Sequence, residues 1–223
     1  MIHLAVVDDH LLFRKSFCFT LSAFQNVKVI FDGADGEELL HALKSKKIDV
    51  VLLDVQMPNM NGFTTCKLLR ELHPHILILI ISQFSDGGTI YQMIQLGAHG
   101  FISKNADPTE LKTAITKINQ DGFYFGAELG LVIEQALSYN QAKNYKIEPD
   151  SELTQKELQI IKWAGKGLTI KEIADKLYIT PRAVEAQRHK MLLKTDAKNF
   201  LGCVLFALKT NQLSLQEMEV NSG

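Results

Sequence analysis

The chain has 223 residues, of which 46% are hydrophobic and 22% are charged, as in folded globular proteins with room for two domains. The three cysteines are scattered without metal-ligand spacing, and no stretch reaches the roughly 20 apolar residues of a membrane span. We therefore exclude a disulfide scaffold, a cysteine metal site and a membrane-spanning protein. We also expect no signal peptide, because the first residues lack a basic region and a long apolar run.

Residues 1–122 alternate between short apolar runs and stretches with helical periodicity. The predicted strands are 4–7, 27–31, 50–53, 76–81 and 100–103, and a predicted helix follows each of them. The last of these helices begins with Asp107 as its N-cap and Pro108 in its first turn. Five strand–helix repeats predict an α/β domain with a (βα)5 doubly wound parallel sheet.

Polar side chains follow four of the predicted strands at the point where each strand ends. They are Asp8 and Asp9, then Asp54, Ser82 and Lys104. In a parallel sheet these carboxyl ends meet at one edge, where open α/β sheets bind their ligands. Three clustered carboxylates repel one another unless a cation lies among them, and Mg²⁺ prefers oxygen ligands of this kind. Lys104 and the Ser82 hydroxyl are suited to hold phosphoryl oxygens.

This arrangement resembles the receiver domain of two-component response regulators over about the first 120 residues. The motifs that carry the resemblance are Asp8-Asp9, Asp54-x-x-Met57-Pro58, Ser82 and Lys104 in that order. The resemblance implies a flavodoxin-like strand order of 2-1-3-4-5, a bacterial cytoplasmic location and an Mg²⁺ ion. It also implies that Asp54 accepts a phosphoryl group from a sensor histidine kinase.

Phe101 lies three residues before Lys104 on the last predicted strand. The receiver resemblance implies that this aromatic side chain rotates together with Ser82 when the aspartate is phosphorylated. A core phenylalanine on a β-strand explains the same residue without any switch, and the sequence leaves both interpretations open.

A linker is predicted at 123–150, with a helix at about 128–139 followed by a polar, proline-containing stretch. The charge balance changes across it. Residues 1–150 contain 13 basic and 17 acidic residues, whereas residues 151–223 contain 11 basic and 8 acidic residues. A basic module is a weak indication of nucleic-acid binding, and chance explains a difference of this size equally well.

Residues 151–213 are predicted to form a small all-α helix-turn-helix domain. Capping boxes at Thr154…Glu157 and Thr169…Glu172 open two amphipathic helices, and Thr180-Pro181 opens a third. The module resembles the DNA-binding domain of LuxR-type regulators. The whole chain therefore resembles the NarL/FixJ subfamily of response regulators, and double-stranded DNA is the implied partner.

On the third helix of this domain, one face is predicted to enter the major groove of DNA. That face contains Arg182, Glu185, Ala186 and His189, with Leu193 following at helical spacing. The candidates for phosphate contacts are Lys171, Arg188, Lys190 and Lys194. Glu185 and Gln187 depart from the family, which usually has lysine and histidine there. Glu185 either accepts from a cytosine amino group or weakens binding.

A last helix is predicted at 197–209 with Asp196 as its N-cap, and its apolar residues lie on more than one face. We expect some of this apolar surface to serve a homodimer. The candidate dimer residues are Phe200, Leu201, Val204, Leu205 and Leu208. Residues 214–223 are polar and are predicted to be a flexible tail.

Two other functions are compatible with parts of the pattern. A phosphatase with an aspartyl nucleophile would also use Asp54, but no insertion for a large substrate pocket is present, and the helix-turn-helix module would have no purpose. A phosphorylation-independent DNA-binding regulator or interaction protein would fit the unusual Glu185 and Gln187.

Overall fold

The computed structural model describes residues 1–82, 87–124, 126, 133–134, 136–138 and 152–218. By their contacts these residues divide into two compact units, the first from 1–85 and 96–124 and the second from 86–95 and 125–223. Of the predicted linker, only residues 123, 124, 126, 133, 134 and 136–138 are described, and the last five of these are helical. The rest of the linker lies outside the described residues. No helix in the described ranges is long and apolar enough to cross a membrane.

The first unit is built on a five-stranded, fully parallel sheet with strand order β2-β1-β3-β4-β5. The strands are β1 Ile2–Val7, β2 Val27–Gly33, β3 Val50–Asp54, β4 Leu77–Ser82 and β5 Gly100–Ser103. Every residue of β3 is buried, which explains its continuous run of apolar residues up to Asp54. The doubly wound (βα)5 sheet predicted from the alternation is confirmed, and its strand order is the one that the receiver resemblance implies.

Five helices follow the strands in turn. They are α1 Leu11–Ser22, α2 Gly36–Ala42, α3 Gly62–Leu72, α4 Gly87–Leu96 and α5 Pro108–Asp121. Asp107 caps α5 as predicted, since its carboxylate accepts from the backbone N–H groups of Thr109 and Glu110. Leu111, Ile115 and Ile118 of α5 pack into the sheet core, where each buried side chain contributes about 1.5–3 kcal/mol. By its contacts α4 groups with the second unit, except for its last residue.

The second unit contains five further helices in residues 152–218. They are α6 Gln155–Gly165, α7 Ile170–Lys176, α8 Pro181–Thr195, α9 Phe200–Lys209 and α10 Leu215–Met218. Both predicted capping boxes are present, because Thr154 and Glu157, and likewise Thr169 and Glu172, exchange side-chain and backbone hydrogen bonds. The turn between α7 and α8 passes through Tyr178 at φ 54°, and Thr180 caps α8.

Two predictions at the carboxyl end are wrong. Asp196 does not cap the last helix but ends α8 in the left-handed region at φ 51°, and Asn199 caps α9 instead by accepting from the Gly202 N–H at 2.7 Å. Residues 214–218 are not a flexible tail. They form α10, and Met218 is buried and packs near Gly165 of α6. Residues 219–223 lie outside the described part of the chain.

Candidate functional site

The carboxylates of Asp8, Asp9 and Asp54 meet at the carboxyl edge of the sheet. β1 and β3 are adjacent and pair in register up to Val7 and Leu53, so the residues that follow lie side by side. One carboxylate oxygen from each of the three residues lies within 4.8 Å of the other two. Asp8 and Asp54 are buried, whereas Asp9 is exposed and faces solvent. The structure therefore brings together the acidic cluster that the strand ends predicted.

Lys104 joins this cluster from the end of β5. Its Nζ lies 2.8 Å from Asp8 Oδ2 and 2.9 Å from Asp54 Oδ2, and its side chain is only 11% exposed. Burial by itself lowers the pKa of Lys104, but the two carboxylates outweigh burial and raise that pKa above its ordinary value of 10.5. Lys104 is therefore an ammonium ion that neutralises part of the negative charge.

Burial raises the pKa of Asp54 above its ordinary value of 3.8, although the contact with Lys104 opposes the shift. The backbone N–H of Val55 donates to Asp54 Oδ1 at 2.8 Å. This hydrogen bond fixes the carboxylate and leaves Oδ2 directed at Lys104. Asp54 is thus held in one orientation, with Oδ2 facing the Lys104 ammonium.

The donor set of the cluster fits a hard divalent cation. Asp8 Oδ1 accepts from the His10 backbone N–H at 2.8 Å, and the buried Asp8 Oδ2 lies 2.8 Å from the Lys104 ammonium. Lys104 brings one positive charge to three carboxylates, so the cluster keeps a net negative charge that suits a divalent metal ion with oxygen ligands.

Ser82 lies at the same edge of the sheet, and Phe101 lies on the adjacent strand β5, two residues before that edge. Ser82 ends β4 and pairs in register with Ser103, and its carbonyl accepts from the Lys104 backbone N–H at 2.9 Å. Phe101 pairs with Ile80 and is buried. The structure places Ser82 next to Lys104 as the sequence predicted. The rotation of Phe101 with Ser82 stays a prediction.

The first turn of α1 supplies contacts that sequence reasoning missed. Arg14 Nη1 donates to the Asp8 carbonyl at 2.6 Å, and its Nε donates to Asp32 Oδ2 at 3.2 Å. The Phe13 ring lies beneath the Lys104 ammonium, with 5.4 Å between Nζ and the ring centroid. The sequence gives no sign of the contact between Phe13 and Lys104, because these residues are far apart in the chain.

The predicted groove face of α8 is exposed. Arg182, Glu185, Ala186 and His189 are all exposed, and Leu193 is 72% exposed. On the opposite side Val184 and Met191 are buried. Lys171 and Lys190 are also exposed. The exposure of this face is compatible with the predicted base contacts, which stay a prediction.

Two of the four phosphate-contact candidates make contacts within the chain. Lys194 Nζ lies 2.7 Å from Oε2 of the buried Glu157. The Arg188 guanidinium stacks on the Phe200 ring at 4.9 Å from its centroid. Phosphate binding by either side chain would compete with these contacts.

The candidate dimer residues on α9 are covered in this structure. Phe200, Leu201, Val204, Leu205 and Leu208 are each at most 7% exposed. The expected free apolar surface is therefore absent here, because α9 packs within the second unit against its neighbours. Helix α4 is one of these: Asn199 Nδ2 donates to the Ile94 carbonyl at 2.9 Å, and Lys209 Nζ donates to the Tyr91 hydroxyl at 2.9 Å.

Comparisons with known proteins match both units. The response regulator receiver domain family matches residues 4–116, and the luxR family of bacterial regulatory proteins matches residues 151–207. The Oxygen regulatory protein NreC of Staphylococcus aureus (strain JH9) is 30% identical over 213 residues, which are 94% of this chain and 98% of that protein. The signal receiver domain of the response regulator NarL from Mycobacterium tuberculosis is 33% identical with a TM-score of 0.51, covering 53% of this chain and 95% of that domain.

RcsB from Salmonella enterica serovar Typhimurium has the same fold across both units. Its structure bound to promoter rprA in the presence of phosphomimetic BeF3⁻ is 18% identical with a TM-score of 0.56, covering 92% of this chain and 96% of that one. A further RcsB structure contains two dimers bound to two parallel DNAs. At this level of identity the likeness concerns the fold alone.

Proposed function

The chain belongs to the response regulators that join a receiver domain to a LuxR-type DNA-binding domain, and on this premise we propose a role for each of its two sites. Asp54 accepts a phosphoryl group from a sensor histidine kinase. The phosphorylated protein then binds double-stranded DNA through helix α8 and regulates transcription. As a regulator of this family the protein is not an enzyme, and slow hydrolysis of its own acyl phosphate resets it.

The observation that supports this proposal is the convergence of Asp54 with Asp8, Asp9 and Lys104 in one pocket. Asp54 Oδ2 attacks the phosphorus of the phosphohistidine donor. The P–N bond breaks as the P–O bond forms, and the imidazole nitrogen retains the electron pair. Lys104 and the Ser82 hydroxyl hold phosphoryl oxygens, which carry the charge that develops during transfer.

Asp8, Asp9 and Asp54 are the residues that would hold Mg²⁺ in this pocket. The bound ion would neutralise negative charge on the carboxylates and on the incoming phosphoryl group. Oδ2 of Asp8 and Oδ2 of Asp54 both lie against the Lys104 ammonium, so a metal ion would compete with that ammonium for either oxygen.

Intact mass spectrometry with Mg²⁺ and a small phosphodonor tests the assignment of Asp54. The parent protein should gain one phosphoryl group, Asp54→Ala should gain none, and Glu37→Gln, at an exposed position on α2, should behave like the parent. Donor turnover without an adduct would favour a phosphatase. The absence of both adduct and turnover would favour a phosphorylation-independent regulator.

Ser82 and Phe101 transmit the effect of phosphorylation from the pocket to the surface of the receiver domain. A dianionic phosphoryl group on Asp54 draws Ser82 and Lys104 towards it, which vacates space beside β5 for the Phe101 ring. The surface changed by this motion is that of α4 and its flanking strands. Phe101→Ala should accept phosphate normally yet lose the phosphate-dependent gain in DNA affinity, and an unchanged gain would contradict the switch.

The exposed face of α8 supports sequence-specific DNA binding in the major groove. We assign Arg182, Glu185, Ala186 and His189 to base edges, and Lys171 and Lys190 to phosphates. The active form is a homodimer on paired half-sites, and RcsB dimers on DNA offer a precedent for the arrangement. The α9 residues are buried within the second unit, so the dimer contact lies elsewhere on the chain. A regulator of this kind works in the cytoplasm, where the bacterial chromosome lies.

Glu185→Lys tests the assignment of the groove face. The substitution removes a carboxylate that repels phosphate and adds a charge that attracts it, so nonspecific affinity should rise and the preferred DNA sequence should change. Selection from a random DNA library with both proteins would show this. Identical binding profiles would remove Glu185 from the base-contact set.

A further inference from the structure

The Lys104 ammonium is enclosed by three groups of the first unit. Two are the carboxylate oxygens of Asp8 and Asp54 at 2.8 and 2.9 Å, and the third is the Phe13 ring at 5.4 Å from its centroid. An aromatic face attracts a cation within about 6 Å of its centroid, and the attraction strengthens where water is excluded. Since the Lys104 side chain is only 11% exposed, the ring contact acts on a largely desolvated charge.

The Phe13 ring is itself held in place by its surroundings. It packs against the core of the first unit, and the His10 ring meets it edge-on at 5.2 Å between centroids. The next residue, Arg14, ties the first turn of α1 to the pocket through the Asp8 carbonyl and to Asp32. The ring therefore has a defined position relative to Asp8, which a flexible aliphatic side chain would not provide.

We propose that Phe13 is a positioning residue for phosphoryl transfer, whose ring holds the Lys104 ammonium between Asp8 and Asp54. This inference rests on the proposed phosphoacceptor function of Asp54. Holding Lys104 there has two opposite effects. Before transfer, the ammonium stays beside Asp8 Oδ2 and competes with a divalent cation for that oxygen. During transfer, it lies within reach of the phosphoryl group that Asp54 accepts.

Phe13→Leu separates these effects from ordinary loss of packing. The substitution keeps an apolar side chain but removes the aromatic face, so Lys104 becomes less confined. The Mg²⁺ dissociation constant of the full chain, measured by titration calorimetry, should fall by about two- to fivefold. The rate of Asp54 phosphorylation by a small phosphodonor, measured by intact mass at saturating Mg²⁺, should fall by a similar factor. A merely structural defect would instead weaken Mg²⁺ binding and slow phosphorylation together.

Three further variants make the test specific. Phe13→Tyr retains the aromatic face and should restore both parent values. Phe24→Leu is the matched control, because it removes the ring of a similar pair in which Lys112 Nζ lies 5.9 Å from the Phe24 centroid. Lys112 contacts none of the carboxylates of the pocket, so this control should change neither the Mg²⁺ dissociation constant nor the rate of phosphorylation. In a Lys104→Gln background, Phe13→Leu should have no further effect on Mg²⁺ affinity.

The outcomes are distinct. Equal effects of Phe13→Leu with and without Lys104, or weaker Mg²⁺ binding together with slower phosphorylation, would overturn the positioning role. Absence of any adduct on the parent protein would instead refute the phosphoacceptor function. In that case the Mg²⁺ titration still decides whether Phe13 acts on the pocket through Lys104.

Discussion

The ammonium of Lys194 lies 2.7 Å from Oε2 of Glu157, so a lysine on α8 neutralises a buried carboxylate of α6. The same oxygen accepts from the Thr154 N–H at 2.7 Å and from the Thr154 hydroxyl at 3.0 Å. These contacts lower the pKa of Glu157, although burial opposes them. Lys194 on α8 therefore also stabilises the capping box at the start of α6, through its contact with Glu157.

Lys194→Met should lower the free energy of unfolding of the second unit by about 1–2 kcal/mol. The substitution removes the ammonium that neutralises the Glu157 carboxylate, and the Glu157 side chain is only 1% exposed. Because the Lys194 side chain is 37% exposed, we expect a smaller loss of stability than for a fully buried ion pair. Urea unfolding followed by the fluorescence of Trp163, the single tryptophan, measures this. The control is Lys198→Met, which replaces an exposed lysine nearby in the chain.

The same variants decide whether Lys194 also binds DNA. Removing one phosphate-binding side chain reduces the slope of log affinity against log salt by about 1. We expect Lys190→Met to reduce the slope and Lys194→Met to leave it unchanged. A reduced slope with unchanged stability for Lys194→Met would show that a DNA phosphate replaces Glu157 as the partner of this lysine.

Lys209 should make the second unit more stable as the pH rises from about 8 to 10. Burial beside Tyr91 lowers the pKa of Lys209 to about 8, from an ordinary value of 10.5. Between these values the unfolded chain binds a proton that the folded chain does not, so deprotonation favours the folded state. The Tyr91 ring, 4.2 Å from Nζ, favours the ammonium and limits the effect, as does partial exposure.

Urea unfolding of the parent and Lys209→Met across this pH range isolates the contribution. The parent should gain about 1 kcal/mol relative to the variant, and below pH 8 the difference between them should be constant. A difference that does not vary with pH would mean that Lys209 is an ordinary solvated lysine.

Mg²⁺ should stabilise the first unit, and Asp9→Asn should remove most of that effect. A ligand that binds only the folded state adds about 2.7 kcal/mol at 100 times its dissociation constant. Without Mg²⁺ the same substitution should raise the melting temperature slightly, because it relieves repulsion among three carboxylates. Melting temperatures measured in excess Mg²⁺ and in EDTA test both the lost stabilisation by Mg²⁺ and the small gain without it. Glu37→Gln is the control. Equal Mg²⁺ stabilisation of parent and Asp9→Asn would exclude Asp9 as a ligand.

Asn59 fixes the loop that follows Asp54, and its two contributions can be separated. Its backbone has φ 57°, and its Nδ2 donates to Asp35 Oδ2 at 3.0 Å, which lowers the pKa of Asp35. Asn59→Ala should cost about 1–2 kcal/mol, since it removes the hydrogen bond and retains the strained conformation. Asn59→Gly should cost less, because glycine adopts positive φ freely. Equal costs in thermal unfolding would contradict the strain argument.

The fold and the pocket could be predicted from the sequence because a parallel sheet brings the residues that follow its strands to one edge. Each of Asp8, Asp54, Ser82 and Lys104 ends an apolar run, and the sheet brings those ends together. The caps of α5, α6 and α7 also depend on local rules, and their prediction is confirmed. Asp196 and Asn199 show the limit of such rules, since both are good capping residues and tertiary packing selects between them.

Contacts between distant residues are beyond local rules. The sequence predicts Lys194 on the DNA side of α8, yet its partner Glu157 is 37 positions earlier in the chain. Helix periodicity places a lysine on a face but does not show where its long side chain ends. Residues 214–218 are mostly polar, but Met218 is buried beside Gly165 of α6, and Glu217 lies 3.8 Å from the Lys162 ammonium on the same helix.

The side-chain amide of Asn199 makes hydrogen bonds to two different helices. Its oxygen accepts from Gly202 at the start of α9, while its nitrogen donates to Ile94 at the end of α4. If α4 separated from α9 at this point, the hydrogen bond from the Asn199 nitrogen would break and the bond to its oxygen would remain, so the first turn of α9 would stay capped. Loss of this contact therefore does not require α9 to unfold.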